Sequence, residues 1–353
     1  MNAKRGAAMT GSILLPVTRV LPLLLLCCSL GLQAAVERGD FLGAKETVYP
    51  AWFKQSFLDL EEDVAEAAAE GRRLLLFFHQ DGCPYCNLLV ERNLSQREIR
   101  RQLRERFDVV AVNMFGDREV TALDGSVLTE KRLAESLRVQ FTPTLLFFNE
   151  QGEVVLRLNG YLPPTTFKLA LDYAAGWREG AESYRAFLAA KRPAAANSEL
   201  NRQPFFQSPP YLLNRREAKP LAIFFEQSQC PDCDRLHREL LRDEEIRTLL
   251  AGFDVVQLDM WSQTPLVTPQ GRKLRARDWA RELEIDYAPT FVLFDAGGRE
   301  VIRSAALFKR FHTASILDYC LSGAYLRQPS FQRFLSARAE HIREQGRVVD
   351  IWR

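Results

Sequence analysis

The chain has 353 residues, of which 47% are hydrophobic and 26% are charged, and its formal net charge is +2. This length suits two domains of ordinary size, and the composition is typical of a globular protein with a sizeable core. Basic and acidic residues nearly balance, which excludes a dedicated nucleic-acid binder, because such proteins need a basic excess to displace counterions.

The N-terminus has the three parts of a secretory signal sequence, which we predict over residues 1–35. Basic residues come first, then a Leu-rich apolar run from Val20 to Leu32, then two alanines that offer a cleavage site. The run is shorter than the ~20 apolar residues that span a bilayer, which favours a removed signal over a permanent anchor. Cys27 and Cys28 lie inside it, and neither follows the small residue that lipidation favours, so we expect no lipid anchor. The sequence therefore predicts an exported, periplasmic protein.

The rest of the sequence repeats itself. Phe107–Val110 recurs as Phe253–Val256, and Pro143-Thr144 recurs as Pro289-Thr290, both displaced by 146 positions. Similarity that stays in register over such a distance indicates a tandem duplication. We predict a first domain at residues 49–192, a linker at 193–204, a second domain at 205–340 and a C-terminal tail at 341–353.

Each repeat is predicted to contain the same elements in the same order. Apolar runs predict strands, and a polar excursion separates the second strand from a helix. In the first repeat, strands are predicted at Leu74–Phe78, Val109–Met114, Leu145–Phe148 and Glu153–Leu158, with helices over Leu88–Arg106 and Glu130–Leu137. In the second, strands are predicted at Leu221–Phe225, Val255–Met260, Phe291–Phe294 and Glu300–Ser304, with helices over Leu236–Leu250 and Asp278–Leu283. Strands separated by helices favour an α/β fold with a central mixed sheet flanked by helices.

A Cys-Pro-x-Cys sequence stands between the first strand and the first helix of each repeat. A thiolate at Cys83 or Cys230 would be stabilised by the unpaired N–H groups of the helix start, which makes it the nucleophile. Cys86 and Cys233 follow one turn later on the same face, and each can attack the mixed disulfide and release the product. No dissociable cofactor is predicted, because the cysteines themselves carry the electrons.

Other interpretations of the cysteine pairs fit less well. Zinc needs a second close pair or nearby histidines, but the other pair lies in its own repeat, so no metal is predicted. Haem attachment needs His after the second cysteine, where Asn87 and Asp234 stand. A structural disulfide in each repeat is the strongest alternative, although it does not explain Pro84 and Pro231 inside the pairs.

Two segments of each repeat carry a resemblance to a known family. They are Cys83–Cys86 with Phe141–Thr144 downstream, and Cys230–Cys233 with Tyr287–Thr290. In these segments, and over most of residues 49 to 340, the chain resembles the thioredoxin superfamily. Within that superfamily it is similar to periplasmic thioredoxin-like proteins found with bacterial sulfur-oxidation systems. The resemblance implies cis bonds before two prolines and a substrate-binding role for those prolines and the residues before them: Thr142, Pro143, Ala288 and Pro289.

The sequence also departs from the family pattern and from one repeat to the other. Phe77 and Phe224 stand where many thioredoxins bury an acidic residue, so the resemblance supplies no proton carrier for the resolving cysteine. Asp232 is expected to disfavour a thiolate at Cys230, whereas Tyr85 is neutral, so the two pairs should differ in potential.

Three further residues could modulate or accompany the chemistry. His79, four residues before Cys83, could stabilise the thiolate or move protons, with a structural role at the strand end as the alternative. His237 is predicted to lie on the same helical face as the second pair but deeper, and Cys320 to be a small buried core residue.

We therefore predict a thiol–disulfide oxidoreductase that exchanges electrons with cysteines of exported proteins. Reduction is the preferred direction, on the strength of the resemblance alone, and a membrane thiol reductase is the expected electron donor. The alternatives are a client- or partner-binding module with structural disulfides, a disulfide isomerase, and a relay between the two repeats.

Overall fold

A computed structural model describes residues 37–191, 199–214 and 219–353. The predicted signal sequence, with Cys27 and Cys28, and the predicted linker up to residue 198 lie outside these residues. Residues 37–353 form one unit, so contacts between the two repeats belong to its interior. Within the described ranges, no helix combines the length and the apolar character needed to cross a membrane.

The first repeat follows a short N-terminal strand. In chain order the elements are β1 (Phe41–Leu42), α1 (Leu60–Ala69), β2 (Arg73–His79), α2 (Pro84–Leu88) with a π-helical turn (Leu89–Leu94), α3 (Arg97–Arg106), β3 (Phe107–Asn113), β4 (Glu119–Thr121), β5 (Val127–Thr129), α4 (Glu130–Ser136), β6 (Thr144–Phe148), β7 (Val154–Asn159), α5 (Pro164–Gly176) and α6 (Tyr184–Lys191).

The second repeat follows the same order from the strand before its cysteine pair to the two closing helices, whereas α1 has no counterpart among its described residues. Its elements are β8 (Tyr211–Leu212), β9 (Leu221–Glu226), α7 (Pro231–Arg235) with a π-helical turn (Leu236–Leu240), α8 (Glu244–Leu250), β10 (Asp254–Asp259), β11 (Pro265–Val267), β12 (Lys273–Arg275), α9 (Ala276–Glu282), β13 (Thr290–Phe294), β14 (Glu300–Ser304), α10 (Arg310–Leu321), a 3₁₀ turn (Ala324–Leu326), α11 (Phe331–Glu344) and β15 (Val349–Asp350).

Each repeat builds a four-stranded mixed sheet, as predicted. The strand orders are β3-β2-β6-β7 and β10-β9-β13-β14. The two strands that begin each order are parallel, and the other pairings are antiparallel. Strand β2 is apolar on both faces because alternate residues enter different cores, with Leu75 and Phe77 on one side and Leu74 and Leu76 on the other.

The structure corrects several details of the predicted elements. Helix α1 was not predicted. The helix of each cysteine pair begins at Pro84 or Pro231, before the predicted bounds at Leu88 and Leu236, and each is interrupted before α3 or α8. In the second repeat the new start comes from Asp243, whose side chain accepts the N–H of Ile246 and caps α8. The polar excursions contain the hairpins β4–β5 and β11–β12, whose three-residue strands are too short to show alternation.

The C-terminal part of the chain joins its N-terminal part. Helix α11 continues to Glu344, and β15 then pairs in parallel with β1, so that Phe41 lies opposite Val349. Residues 341–353, predicted as a tail, therefore contain a helix end and a strand. Ile351 after the strand is buried, and Trp352 is 37% exposed.

Candidate redox sites

Each cysteine pair lies at the start of the helix that follows the central strand β2 or β9. Cys83–Cys86 and Cys230–Cys233 are disulfide-bonded, with Cα atoms 5.3 and 5.1 Å apart. The backbone N–H of Cys86 donates to Sγ of Cys83 at 3.1 Å, and that of Cys233 donates to Sγ of Cys230 at 3.0 Å. In the reduced protein these N–H groups would favour a thiolate on the first cysteine of each pair.

A cis X–Pro loop precedes strand β6 and strand β13. The Thr142–Pro143 and Ala288–Pro289 bonds are both cis, as the resemblance implied. Sγ of Cys230 lies 3.5 Å from the carbonyl oxygen of Ala288, which places the loop directly beside the second pair. The binding roles of Thr142 and Ala288 stay predictions, and both residues are buried.

The residue between the cysteines of the first pair is enclosed by the second repeat. The ring of Tyr85 packs edge-on against Phe308 and His312, each at a centroid distance of 5.0 Å, and against Trp352 at 5.5 Å. The backbone N–H of Lys309 donates to the Tyr85 hydroxyl at 2.9 Å. Tyr85 is only 4% exposed, and burial raises the pKa of its hydroxyl.

The segment before the first repeat closes the same site from another side. The hydroxyl of Thr47 donates to the carbonyl oxygen of Cys83 at 3.5 Å, and Lys45 forms an ion pair with Glu91. We call three elements together the cover of the first site: residues 44–47, residues 305–309 and Trp352. Beneath them the whole stretch from Cys83 to Asn87 is buried.

The cis-proline loop of the first repeat is occupied as well. Phe141, two residues before Pro143, stacks on Phe308 at a centroid distance of 5.3 Å and also contacts Phe331 at 5.3 Å. The side chain of Gln332 donates to the carbonyl oxygen of Gln140 at 3.1 Å. Tyr85 and Phe141 therefore belong to the hydrophobic core of the second repeat.

The second pair has a more polar and more open surface. Pro231 is exposed and Asp232 is half-buried, although Cys230 itself is only 6% exposed. The Asp232 carboxylate pairs with Arg235 at 2.6 Å and accepts the hydroxyl of Tyr287, the residue before Ala288. The charge next to Cys230 is thus partly balanced within its own repeat.

The model of the thioredoxin-like domain family matches residues 60–175 and 213–319, one match in each repeat and together more than half of the chain. The chain belongs to the thioredoxin-like family. With its two close cysteine pairs, this thioredoxin-like protein is a thiol–disulfide oxidoreductase with tandem domains. Among curated proteins none matches the chain.

Solved structures give matches to single domains. A thioredoxin-fold protein from Helicobacter pylori is 24% identical, with 38% of this chain and 91% of that one covered and a TM-score of 0.30. A thioredoxin from Thermus thermophilus is 31% identical, with 33% and 85% covered and a TM-score of 0.27. The oxidised DsbD C-terminal domain of Neisseria meningitidis is 15% identical, with 36% and 100% covered and a TM-score of 0.26.

Behind the second pair lies a buried polar cluster that the sequence analysis did not find. Glu226, at the end of β9, accepts hydrogen bonds at both carboxylate oxygens from Nε2 of His237, each at 3.0 Å. The amide of Gln257 donates to Glu226 at 3.1 Å, and Gln203 contacts Nδ1 of His237 at 3.1 Å. His237 is buried on the helix, as predicted, whereas its partner Glu226 lies one residue beyond the predicted strand Leu221–Phe225.

The counterpart of Glu226 in the first domain is His79, the predicted modulator of Cys83. His79 is half-buried, its ring lies 4.6 Å from that of Tyr49, and its Nδ1 is buried with no hydrogen-bond partner among the described residues. Burial lowers the pKa of this imidazole, so His79 is held neutral near pH 7. A neutral imidazole would not supply the charge that stabilises a thiolate, and the predicted role of His79 in moving protons stays a prediction.

Cys320, which the sequence analysis expected in the core, is separate from both sites. Cys320 on α10 is a free, buried cysteine, and burial raises the pKa of its thiol to about 12. It is the core residue that the sequence analysis expected. Its thiol is inert in exchange, because the thiolate is the reactive form.

Proposed function

We propose that this thioredoxin-like protein reduces disulfides in exported proteins, and that Cys230 and Cys233 form its working pair. The observation that carries the proposal is the open second site, where a disulfide at a helix start adjoins a cis-proline loop 3.5 Å away. The predicted signal sequence supports clients outside the cytoplasm. The resemblance to the sulfur-oxidation type supports reduction as the direction.

The reaction consists of two exchanges. The Cys230 thiolate attacks one sulfur of the client disulfide, the client S–S bond breaks, and the other client sulfur leaves as a thiolate that takes up a proton. The Cys233 thiolate then attacks Sγ of Cys230 in the mixed disulfide and releases the second client sulfur, which is also protonated. Two electrons pass to the client, and the protein ends with the Cys230–Cys233 disulfide.

Binding and orientation would come from the loop before Pro289. Backbone groups of Ala288 stand beside Cys230, so an extended client segment laid against them would hold its disulfide next to Sγ. Thr142 and Pro143 would act in the same way at the first site, where Cys83 would attack and Cys86 resolve. A dithiol partner such as a membrane thiol reductase would return the electrons.

A redox titration of the exported form tests the proposal. Alkylation and mass spectrometry report the pairs Cys83–Cys86 and Cys230–Cys233 separately. We expect the second pair to titrate reversibly between about −120 and −270 mV, the range of catalytic dithiols. A second pair that stays oxidised below about −300 mV would be structural and would end the proposal.

A second candidate concerns the first domain alone. Because its site is covered, the pair Cys83–Cys86 is a candidate for a structural disulfide in a partner-binding domain. The same titration decides this point, since a structural first pair would stay oxidised below about −300 mV while the second titrates above it.

A further inference from the structure

The cover occupies the parts of the first domain that a client would need to reach. We propose that the cover is an autoinhibitory contact: the pair Cys83–Cys86 exchanges electrons only while the cover is open, whereas Cys230–Cys233 exchanges in the closed molecule. The inference deepens the proposed function and rests on it for the identity of the reaction. According to this inference, the two cysteine pairs exchange electrons in different conformations of the protein.

The contact is close enough to exclude a client segment. A Cβ atom on Gly160, which follows β7, would lie 2.8 Å from Cβ of Ala306 and 3.0 Å from the ring of Phe308. Only a glycine allows the loop 305–309 to come so near. The amide of Gly160 is bonded to the carbonyl oxygen of Pro143 at 2.7 Å, so the loop lies against the cis-proline region itself.

The chemistry requires access that the closed molecule denies. An incoming thiolate must reach Sγ of Cys83 in line with the S–S bond, which then breaks with Cys86 leaving as a thiolate and taking up a proton. In the closed molecule Cys83 is 1% exposed and Cys86 is fully buried. The residues between them, Pro84 and Tyr85, are also buried, so no neighbouring surface guides an attacking group inward.

The terminal parts of the cover are the ones that can open, because Ala306 and Phe308 are buried in the core of the second repeat. These N- and C-terminal parts adjoin β1 and β15, which pair over two residues and are supported by hydrogen bonds between Gly39 and Arg343, and Trp352 is partly exposed. Elements with few buried contacts open at lower cost than the core. Beneath the cover, Nδ1 of His312 is buried and finds no hydrogen-bond partner in the part of the chain that the structure describes, which makes closure less favourable than a fully paired contact.

The second site also contacts the other repeat, since Tyr287 packs against the core of the first repeat and Arg185 donates to the carbonyl oxygen of Ile285 at 2.7 Å. What differs is the covering of the residue between the two cysteines. The residue of the first repeat that corresponds to Phe308 is Leu162, which packs into the core of its own domain. The residue of the second repeat that corresponds to Tyr85 is Asp232, which is half-buried and paired with Arg235. The duplicated scaffold therefore presents one closed site and one open site, which makes the second pair an internal reference for the first.

The test compares the reduction rates of the two pairs in the full exported chain. The oxidised protein is mixed with excess dithiothreitol, which supplies both electrons and becomes its cyclic disulfide, and samples are quenched with an alkylating reagent. Mass spectrometry of the two cysteine peptides gives a rate for each pair. Phe308→Ala and Trp352→Ala open the cover, and Phe294→Leu, which removes a similarly buried ring elsewhere in the second domain, is the matched control.

We expect the first pair to be reduced at least about tenfold more slowly than the second in the unchanged protein. Phe308→Ala should accelerate the first pair by about tenfold or more and leave the second within about twofold, while Phe294→Leu changes neither ratio. Trp352→Ala should act in the same direction, and because Trp352 is partly exposed this variant is expected to fold even where Phe308→Ala does not.

Equal rates for the two pairs in the unchanged protein would overturn the inference, as would a first-pair rate that both cover variants leave unaltered. These outcomes are distinct from a failure of the proposed function, since dithiothreitol reduces a disulfide whether or not it is catalytic. Failure of the proposed function would show instead as a second pair that is reduced readily but transfers no electrons to a protein disulfide.

Discussion

The two cysteine sites share a backbone and differ in what surrounds it. Both have a cysteine whose sulfur accepts an N–H at a helix start, and both adjoin a cis-proline loop. The difference begins with one residue, Tyr85 in one pair and Asp232 in the other. An aromatic ring is stabilised by burial against Phe308, whereas a carboxylate without a full set of partners has to stay near water. The side chain between the cysteines thus decides whether a neighbouring domain can close the site.

A second difference lies behind the cysteines. The buried residues Glu226, His237 and Gln257 of the second domain correspond to His79, Val90 and Ala111 in the first. The second domain therefore keeps acid, base and amide groups between its central strand and the helix of the pair. The first domain has an aromatic and aliphatic interior there. The open site has the polar interior, and the closed site has the apolar one.

The largest expected effect tests which pair does the work. Cys230→Ser should lower the rate of protein-disulfide reduction at least about a thousandfold, because the nucleophile is lost. Cys83→Ser should change that rate by less than about twofold, since its pair is closed during turnover. The measurement is dithiothreitol-driven reduction of a protein disulfide such as that of insulin. Equal losses in the two variants would mean that the sites act in series, and the distinction between open and closed would fail.

The next effect sharpens the contrast between the two interiors. Glu226→Leu should lower the free energy of unfolding by about 3 kcal/mol, because it leaves His237 and Gln257 without their buried partner. The matched variant His79→Leu should cost less than about 1 kcal/mol, since His79 Nδ1 has no hydrogen bond to lose. Urea unfolding curves give both values. A larger cost for His79→Leu than for Glu226→Leu would contradict the contrast.

A third effect is the pH dependence of stability that His312 contributes beneath the cover. Burial lowers the pKa of His312 from 6.5 to about 4. Between these values the unfolded chain binds a proton that the folded chain does not, so stability is complete above pH 6.5 and falls as the pH falls. From pH 7 to pH 5 the loss should be about 2 kcal/mol.

The variant His312→Phe isolates this contribution. Asp286 acts in the opposite sense, because burial raises the pKa of its carboxyl to about 6 and the folded chain then binds its proton first as the pH falls. Asp286 is present in both proteins, so the difference between their urea curves at pH 7 and pH 5 reports His312 alone. A variant as acid-sensitive as the unchanged protein would show that His312 is not the group responsible.

The smallest effect concerns the charge beside the open pair. Asp232→Asn should lower the pKa of the reduced Cys230 thiol by less than about one unit, since Arg235 already pairs with the carboxylate at 2.6 Å. Arg235→Gln, as the matched control, should move the pKa in the opposite direction. The pH profile of alkylation of the reduced protein measures both. A shift of the same sign in both variants would mean that the pair Asp232–Arg235 acts by position and not by charge.

The strands and the cysteine pairs were predictable because their determinants are local. Leu74–Phe78 and Leu221–Phe225 are apolar runs of strand length, and a tandem repeat confirms each element twice. The cysteines were expected at a helix start, and the structure confirms this, since Sγ of Cys83 accepts the N–H of Cys86 at the start of α2.

The cover could not be predicted in the same way. Its hydrogen bond between Lys309 and Tyr85 joins residues 224 positions apart, and no periodicity in either segment indicates that they meet. Glu226 offered a weak local signal, a lone acid at the end of a buried strand, but its meaning depends on His237 and Gln257 reaching the same point. Both the cover and the polar cluster around Glu226 depend on packing between segments that are distant in the sequence.

The pairing of β1 with β15 has a consequence for the order of events during synthesis. It joins Phe41 to Val349, which are 308 positions apart, so it can form only after the second repeat has emerged. Until then the first repeat is a newly synthesised domain whose cysteine pair is not yet covered. Its cysteines can be oxidised by whatever enzyme meets the growing chain, and the finished molecule then encloses the bond. The oxidation state of the first cysteine pair in the finished protein would therefore depend on the redox conditions during its synthesis.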